Sequence, residues 1–492
     1  MQTLNPAISE IKEQLGTYNI VPVFYEMTFD TYTPIHIYKA MSENAENSFI
    51  LESVSDGDRW GRYSFVGANP KAELIVKGKT AIIKEGLRSS SHNTDNPIDF
   101  IKEYQSRFSA PNLTGVPHLT GGLIGYFSYD TVRYFEKTLT DIPKDDLDMP
   151  ECHLFMYDEL VCFDHLRNKC IVIINIYKEG NVEEQYQNAE FRAKEIAAKI
   201  SSYSSPMSVP KDIKKQISVK SGTTEDEFKD IVIKAKEYIK GGDIFQIVLS
   251  RRFEVENPPD SFNVYRCLRM TNPSPYLYYF KTKDYEIAGA SPELLVSVTG
   301  DTVKTRPIAG TAARGKTDEE DKMFEENLRN DPKERAEHTM LVDLGRNDLG
   351  KVSKFGSVKV LDFMHTERYS KVMHLVTNVE GKLQEGKDSL DALTAVLPAG
   401  TLSGAPKVRA MELIDKFETA KRGLYGGTVG YIGFDGNMDT CIAIRTVLFK
   451  NGTAYVQSGA GIVADSSPEK EYEETYNKSL AMLNAIKEAD SL

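Results

Sequence analysis

Hydrophobic and polar positions change their period several times along this chain. Short apolar runs recur at 72–76, 80–83, 121–129, 160–163 and 170–177, set between glycine or polar turns, and each reads as a strand. A helix is predicted over 182–200. Ser201, Ser202, Ser204, Ser205, Pro206, Ser208 and Pro210 then crowd together ahead of Lys211, Lys214 and Lys215, so a linker is expected over 201–222. Beyond it, Thr224-Glu225-Asp226-Glu227 has the form of a capping box. Phe228, Ile231, Val232, Ala235 and Ile239 keep helical spacing until Gly241-Gly242 ends the run. Phe245, Ile247 and Leu249 alternate with Gln246, Val248 and Ser250, a strand pattern. The remainder mixes both kinds of element without a βαβ rhythm or a repeat of fixed period. The prediction is an α+β fold of large sheets flanked by helices, divided into domains over 1–200 and 223–492 around the 201–222 linker.

Composition narrows the function. At 492 residues, 40% hydrophobic and 27% charged, the chain has the make-up of a soluble globular protein. A net charge of −12 argues against a nucleic-acid surface, and it requires any anionic substrate to be caught by local cations. The polar start at Met1–Pro6 predicts no signal peptide, and apolar stretches such as 170–177 fall short of the ~20 residues of a membrane span. Cys152, Cys162, Cys170, Cys267 and Cys441 are scattered and odd in number, which fits a reducing cytoplasm and shows no zinc pattern.

Two glycine motifs invite a nucleotide reading. Residues 310–317 match GxxxxGK[ST], but Pro307 precedes them and Asp318, Glu319, Glu320 and Asp321 follow where a triphosphate would lie. Residues 459–464 fit GxGxxA, yet the next helix start, Ser467-Pro468, comes several residues late, and Ile462-Val463 reads as extended. A bare backbone loop able to approach an anion remains open there.

Carboxylates carry the chemistry. Asp331-Pro332 opens a helix bearing Glu334, expected as the reciprocal half of a capping box, and Glu337 one turn on. Ser467-Pro468 opens another with Glu471, Glu474 and then Lys478. On spacing alone, Glu474 is an exposed i,i+4 partner of Lys478 worth ~0.3–0.5 kcal/mol. The alternative places one carboxylate from each helix on a shared Mg²⁺, which takes one or two protein carboxylates and completes its shell with substrate and water.

Longer segments decide between these readings. Leu51-Glu52-Ser53 with 60–65, Ala290-Ser291-Pro292-Glu293-Leu294, Arg306-Pro307-Ile308-Ala309-Gly310-Thr311, 331–348, 398–407, 426–445 and 457–461 resemble the chorismate-utilising enzymes, and most closely anthranilate synthase component I. The match spans nearly the whole chain and is densest over 224–485. It implies a sandwich-like component I fold, with part of a tryptophan regulatory site in 1–200 and chorismate chemistry in 223–492. Glu337 and Glu474 would hold Mg²⁺. Arg445, Tyr425 and the amides of Gly459, Ala460 and Gly461 would hold the substrate, with Gly310 and Thr311 as a further edge. Glu293 would protonate the departing C4 hydroxyl, with His374 and Thr401 beside it. A regulatory L-tryptophan site would comprise Ser53, Pro275, Tyr276 and Leu277, where the family more often has Met at the last position.

Within that resemblance, isochorismate- and salicylate-forming relatives carry a lysine base where this chain has Gln246. Aminodeoxychorismate synthases usually carry a nucleophilic lysine where it has Ala309. The implied nucleophile is therefore external ammonia. No cysteine here sits between glycines, as the nucleophile of such an amidotransferase would, so the resemblance implies a separate glutamine amidotransferase subunit in a hetero-oligomer, or free ammonia at high concentration. A catalytically silent homologue should lack the metal carboxylates, and both are present.

Overall fold

Two twelve-stranded antiparallel sheets face each other in a computed structural model that describes residues 4–28, 30–54, 61–204, 217–368 and 372–492. Phe49, Phe65 and Tyr278 of one sheet meet Ile124, Tyr126 and Phe155 of the other in a buried layer between them. Tyr38, Tyr265 and Met482 of three helices cover the outer face of the first sheet. Val342, Leu349 and Leu393 of two more helices cover that of the second. The architecture is the expected α+β sandwich with helices outside. Central strands such as Gly122–Phe127 and Cys152–Tyr157 are buried at every position, so both of their faces have to be covered.

The expected division near residue 210 does not separate two cores. Ser48–Glu52, from the first half, pairs with Tyr276–Lys281 from the second, with Glu52 opposite Leu277. In the other sheet Gly122–Phe127 pairs with Thr428–Gly433. Both sheets therefore run continuously through strands of both halves. Composition shows where a chain is loose, whereas pairing between distant strands is set by register. Residues 205–216 of the expected linker and Trp60 lie outside the described residues.

Local signals hold well. The predicted 182–200 helix spans Val182–Ser202. The helix after Thr224 runs Glu225–Lys240 with both halves of its capping box made. Asp331 caps the Pro332–Gly350 helix through the N–H groups of Lys333 and Glu334. Glu334 does not return a bond to the cap: its carboxylate faces Gly310 across the chain instead, and a Cβ on Gly310 would sit 3.1 Å from Glu334 Oε2. The GxxxxGK[ST] stretch carries its own anions. Asp321 Oδ1 accepts from the Gly315 N–H at 2.6 Å, Glu320 Oε2 accepts from the Lys316 N–H at 2.7 Å, and Asp321 also binds Arg314. Carboxylates of the following Asp318–Asn330 helix thus occupy the amides that a phosphate would need. Residues 459–462 of the second motif belong to the Thr453–Ile462 strand, as its extended look suggested.

Candidate active site

A cavity of about 770 Å³ opens between the Pro332–Gly350 and Pro468–Glu488 helices, over strands Gln246–Glu256, Thr453–Ile462 and Ile308–Ala313. Its floor exists because one strand outruns its neighbour. Thr453–Ile462 pairs with Thr446–Lys450 only as far as Val456 opposite Val447, while on its other edge it stays paired with Gln246–Glu256 to Ile462. Residues 457–462 therefore have one open edge.

Register decides which amides face that edge. Gly459 lies opposite Ser250 and Gly461 opposite Val248. The N–H of Val248 donates to Ser403 O, its carbonyl accepts from Arg422, and the Ser250 N–H donates to Glu418, all away from the shared ladder. By antiparallel alternation, Gly459 and Gly461 also point their N–H and C=O groups outward, into the cavity. Ala460 between them points its amide into the ladder, and its methyl packs wholly buried beside Ile247 and Phe228. Of the three expected amides, two reach the site and Ala460 does not. Glycine is needed at 459, where a Cβ would meet Tyr425 Oη at 2.7 Å and Leu249 O at 2.9 Å; at 461 a Cβ would meet only Gln246, with Nε2 at 2.7 Å, which that side chain can yield.

Arg445 stands where the edge opens, in a left-handed conformation (φ +52°) immediately before the shorter strand. It lies just outside the strand, which begins at Thr446. Its guanidinium donates to Lys478 O, and among the described residues no carboxylate pairs with it. Burial lowers its affinity for the proton, with Tyr425 acting in the opposite direction. A buried cation without a counter-ion, beside two free amides, is a receptor for an anion.

Glu293 lines the same cavity and is 8% exposed. Burial pushes its carboxyl up to about 8, against the Thr401 hydroxyl donating to Oε1 at 3.0 Å and the field of Lys478. Near pH 7 the group therefore carries a proton, as a proton donor must. Thr401 is where the sequence put it. His374 instead pairs with Thr311 across two strands, and its Nδ1–H is shared between Gly310 O at 3.0 Å and Thr311 Oγ1 at 3.1 Å. That bond fixes the tautomer, and burial holds the ring neutral, with Arg445 acting in the same direction. Gly310, at φ +70°, forms the bulge that turns this edge toward the cavity.

Lys478 is the residue that sequence reasoning undervalued. It binds Glu474 Oε1 at 2.7 Å, as the i,i+4 spacing foretold, but its Nζ also donates to Gly459 O at 3.1 Å. Side-chain spacing shows the first contact; only the fold brings the second.

The two helices bring Glu334, Glu337, Glu471 and Glu474 to the same mouth. Burial raises the carboxyl of Glu334, aided by Glu337, Asp331 and Glu474; burial also raises Glu471, with Glu474 adding to it. Mutual repulsion of this kind is what a divalent cation relieves. Glu337 also accepts from Gln246 Nε2 at 3.4 Å. Among the described residues no three ligating groups converge into a closed metal cage, so a cation here would take one or two carboxylates and leave the rest of its shell open.

A second cavity of about 440 Å³ lies between the sheets, away from this mouth. Ser53, Pro275, Tyr276 and Leu277 all line it. The Ser53 hydroxyl is buried without a partner, and Tyr276 donates to Asp439 at 3.0 Å. The wall toward the first cavity is thin. Tyr276 pairs with Ser291, whose hydroxyl donates to Ile442 O, and the Ile442 N–H donates to Glu293 O at 2.9 Å.

Fold and cleft together describe a site that can receive an anion and offers a buried carboxyl group able to give a proton. Residues 46–484 match the family model described as chorismate binding enzyme. The chain is 50% identical over 493 residues to anthranilate synthase component 1 of Acetivibrio thermocellus, with 99% of each covered. It is 44% identical over 491 residues to that of Aquifex aeolicus, again with 99% of each covered. The crystal structure of anthranilate synthase component I from Streptococcus pneumoniae aligns with a TM-score of 0.76 at 38% identity, over 87% of this chain and 93% of that one. The menaquinone-specific isochorismate synthase of Escherichia coli, 17% identical over 98% of this chain and 99% of its own, shares the fold with a TM-score of 0.71. The chain belongs to the chorismate-binding enzyme family, among the anthranilate synthase component 1 proteins.

Proposed function

We propose that this chain is the chorismate-converting large subunit of anthranilate synthase, a cytoplasmic lyase that turns chorismate and ammonia into anthranilate and pyruvate for tryptophan synthesis. Among the described residues no helix is long and apolar enough to cross a membrane. The observation that carries the reading is Glu293, a buried carboxyl pushed up to about 8, in a cavity that also offers Arg445 and two unpaired amides.

In this reading Arg445, Tyr425, Gly459 and Gly461 seat the substrate and its enolpyruvyl carboxylate. His374 fixes the Gly310–Thr311 edge beside it. The mutually repelling carboxylates on the two helices fit Mg²⁺, with Glu337 and Glu474 as the residues that would hold it. When bound, Mg²⁺ supplies charge neutralisation at the ring carboxylate. Ammonia forms the bond to C2 as the C4–O bond breaks, and Glu293 gives its proton to the leaving hydroxyl, which departs as water. Loss of the C2 proton with expulsion of pyruvate then leaves the aromatic amine.

Gln246 and Ala309 both line the cavity, and neither an amide nor a methyl can act as nucleophile or base there. The nitrogen must therefore enter from solution or from a partner, and a glutamine amidotransferase subunit in a hetero-oligomer fits that need. The chain alone, given chorismate, Mg²⁺ and ammonium, should produce anthranilate fluorescence, and should produce none with glutamine. Glutamine-driven turnover by the pure chain would overturn the partner assignment.

The second cavity fits a feedback site for L-tryptophan, where the unpartnered Ser53 hydroxyl awaits a ligand. Tryptophan should inhibit the ammonia reaction. Ser53→Phe should raise the half-inhibitory concentration ~10-fold or more while leaving uninhibited turnover within about twofold, because an effector acts only through its differential affinity for two states. Unchanged inhibition in that variant would place the effector elsewhere.

A further inference from the structure

Behind the floor of the cleft lies a buried ion pair that none of the steps above uses. Arg422 and Glu418 follow the Lys407–Phe417 helix at i,i+4 spacing, with side chains only 1% and 6% exposed. The guanidinium grips Glu418 with two bonds, Nε to Oε2 at 2.8 Å and Nη2 to Oε1 at 2.6 Å. Its remaining reach goes to two backbone carbonyls, Leu402 O at 2.6 Å and Val248 O at 2.7 Å. Glu418 Oε1 in turn accepts from the N–H and hydroxyl of Ser250 at 2.8 and 2.9 Å. Leu402 is the neighbour of Thr401 in the Gly400–Leu402 turn, and Val248 belongs to the strand under the cavity. One planar fork therefore joins the turn that carries Thr401 to that strand, a geometry a lysine point charge cannot reproduce.

We propose that Arg422, held by Glu418, is a positioning residue for proton donation: it pins the Gly400–Leu402 turn so that the Thr401 hydroxyl stays on Glu293. This rests on the reading of Glu293 as the acid. Among the groups facing Glu293, Thr401 supplies the side-chain bond and Lys478, from the C-terminal helix, the charge; Arg445 and Glu337 line the same cavity, and Gln246 and Tyr425 are its uncharged neighbours. Arg422 makes its backbone bonds to Leu402 O and Val248 O and, among the described residues, none to Glu293, so its contact with the acid passes through the turn. The Thr401 bond favours the ionised carboxylate. Loosening the turn therefore raises the proton affinity of Glu293 and moves the high-pH limb of kcat upward.

The test is a double-mutant cycle on the full chain, read as kcat against pH at constant free ammonia. Thr401→Val should raise the limb by roughly one pH unit, Arg422→Lys by about half a unit, and the double variant no further than Thr401→Val alone, since residues acting through one contact are not additive. A limb unmoved by Arg422→Lys but moved by Thr401→Val, or additive shifts in the double variant, overturns the positioning role alone. A limb unmoved by Thr401→Val overturns both this role and Glu293 as the acid. If Arg422→Lys fails to fold, Ser250→Ala, which removes one of the bonds bracing Glu418, decides instead. It should move the limb upward by a smaller step, and an unmoved limb overturns the proposal.

Discussion

Replacing Glu293 with Gln should lower kcat by about 10³-fold, near 4 kcal/mol of transition-state stabilisation, while leaving chorismate affinity within a few fold. The amide keeps the shape of the acid and still accepts from Thr401, but it has no proton to give. The loss should fall on the chemical step, because Arg445 and the amides of Gly459 and Gly461, which would hold the substrate, are left unchanged. The pH dependence carries the sharper signature. Wild-type turnover, measured at constant free ammonia, should decline as pH rises through about 8, where burial has moved the Glu293 carboxyl and where it gives up its proton. The sign follows from the role: an acid works below its pKa and fails above it. Glu293→Gln should show no such limb. A variant that keeps both its rate and its decline above pH 8 would place the proton donor elsewhere.

Glu337→Gln and Glu474→Gln should each abolish detectable turnover at limiting Mg²⁺, and should raise the Mg²⁺ concentration for half-maximal rate by ~10–100-fold or more. Each would remove one anionic oxygen from the proposed Mg²⁺ site, which has few protein ligands to spare. Neither should unfold the chain. The Glu474 side chain is 46% exposed and its pair with Lys478 is an ordinary surface one, worth a few tenths of a kcal/mol. Direct binding of Mg²⁺ by calorimetry, with folding followed by circular dichroism, separates the two effects. Near wild-type turnover at limiting Mg²⁺ in either variant would remove that residue from the metal site.

These outcomes show which parts of the molecule can be read along a line of letters. Thr224 with Glu227, and Asp331 with Pro332, are complete within four residues, so their capping and the helices behind them were legible. So was the failure of residues 310–317 as a phosphate loop, because the acids that fill its amides follow directly. The site was less so. That Gly459 and Gly461 are open while Ala460 is spent depends on where a neighbouring strand stops. The dual grip of Lys478 and the fork of Arg422 depend on register between segments far apart in sequence. The proton on Glu293 depends on burial that no local pattern encodes. Resemblance supplied Glu293 and Arg445 as names; the fold supplies the reason one is neutral and the other unpaired.

The sharing of both sheets between the two halves has a consequence for how the protein is born. Gly122–Phe127 and its partner Thr428–Gly433 lie roughly 300 residues apart. At ~5–20 residues per second a ribosome delivers the second about 15–60 s after the first. Through that interval the strands of the first half expose an edge and an apolar face that only later residues close. The N-terminal 200 residues therefore have no finished state of their own on the ribosome. A stop codon near residue 210 should yield an aggregating fragment, whereas a protease cut there in the folded chain should leave the two halves paired through both sheets.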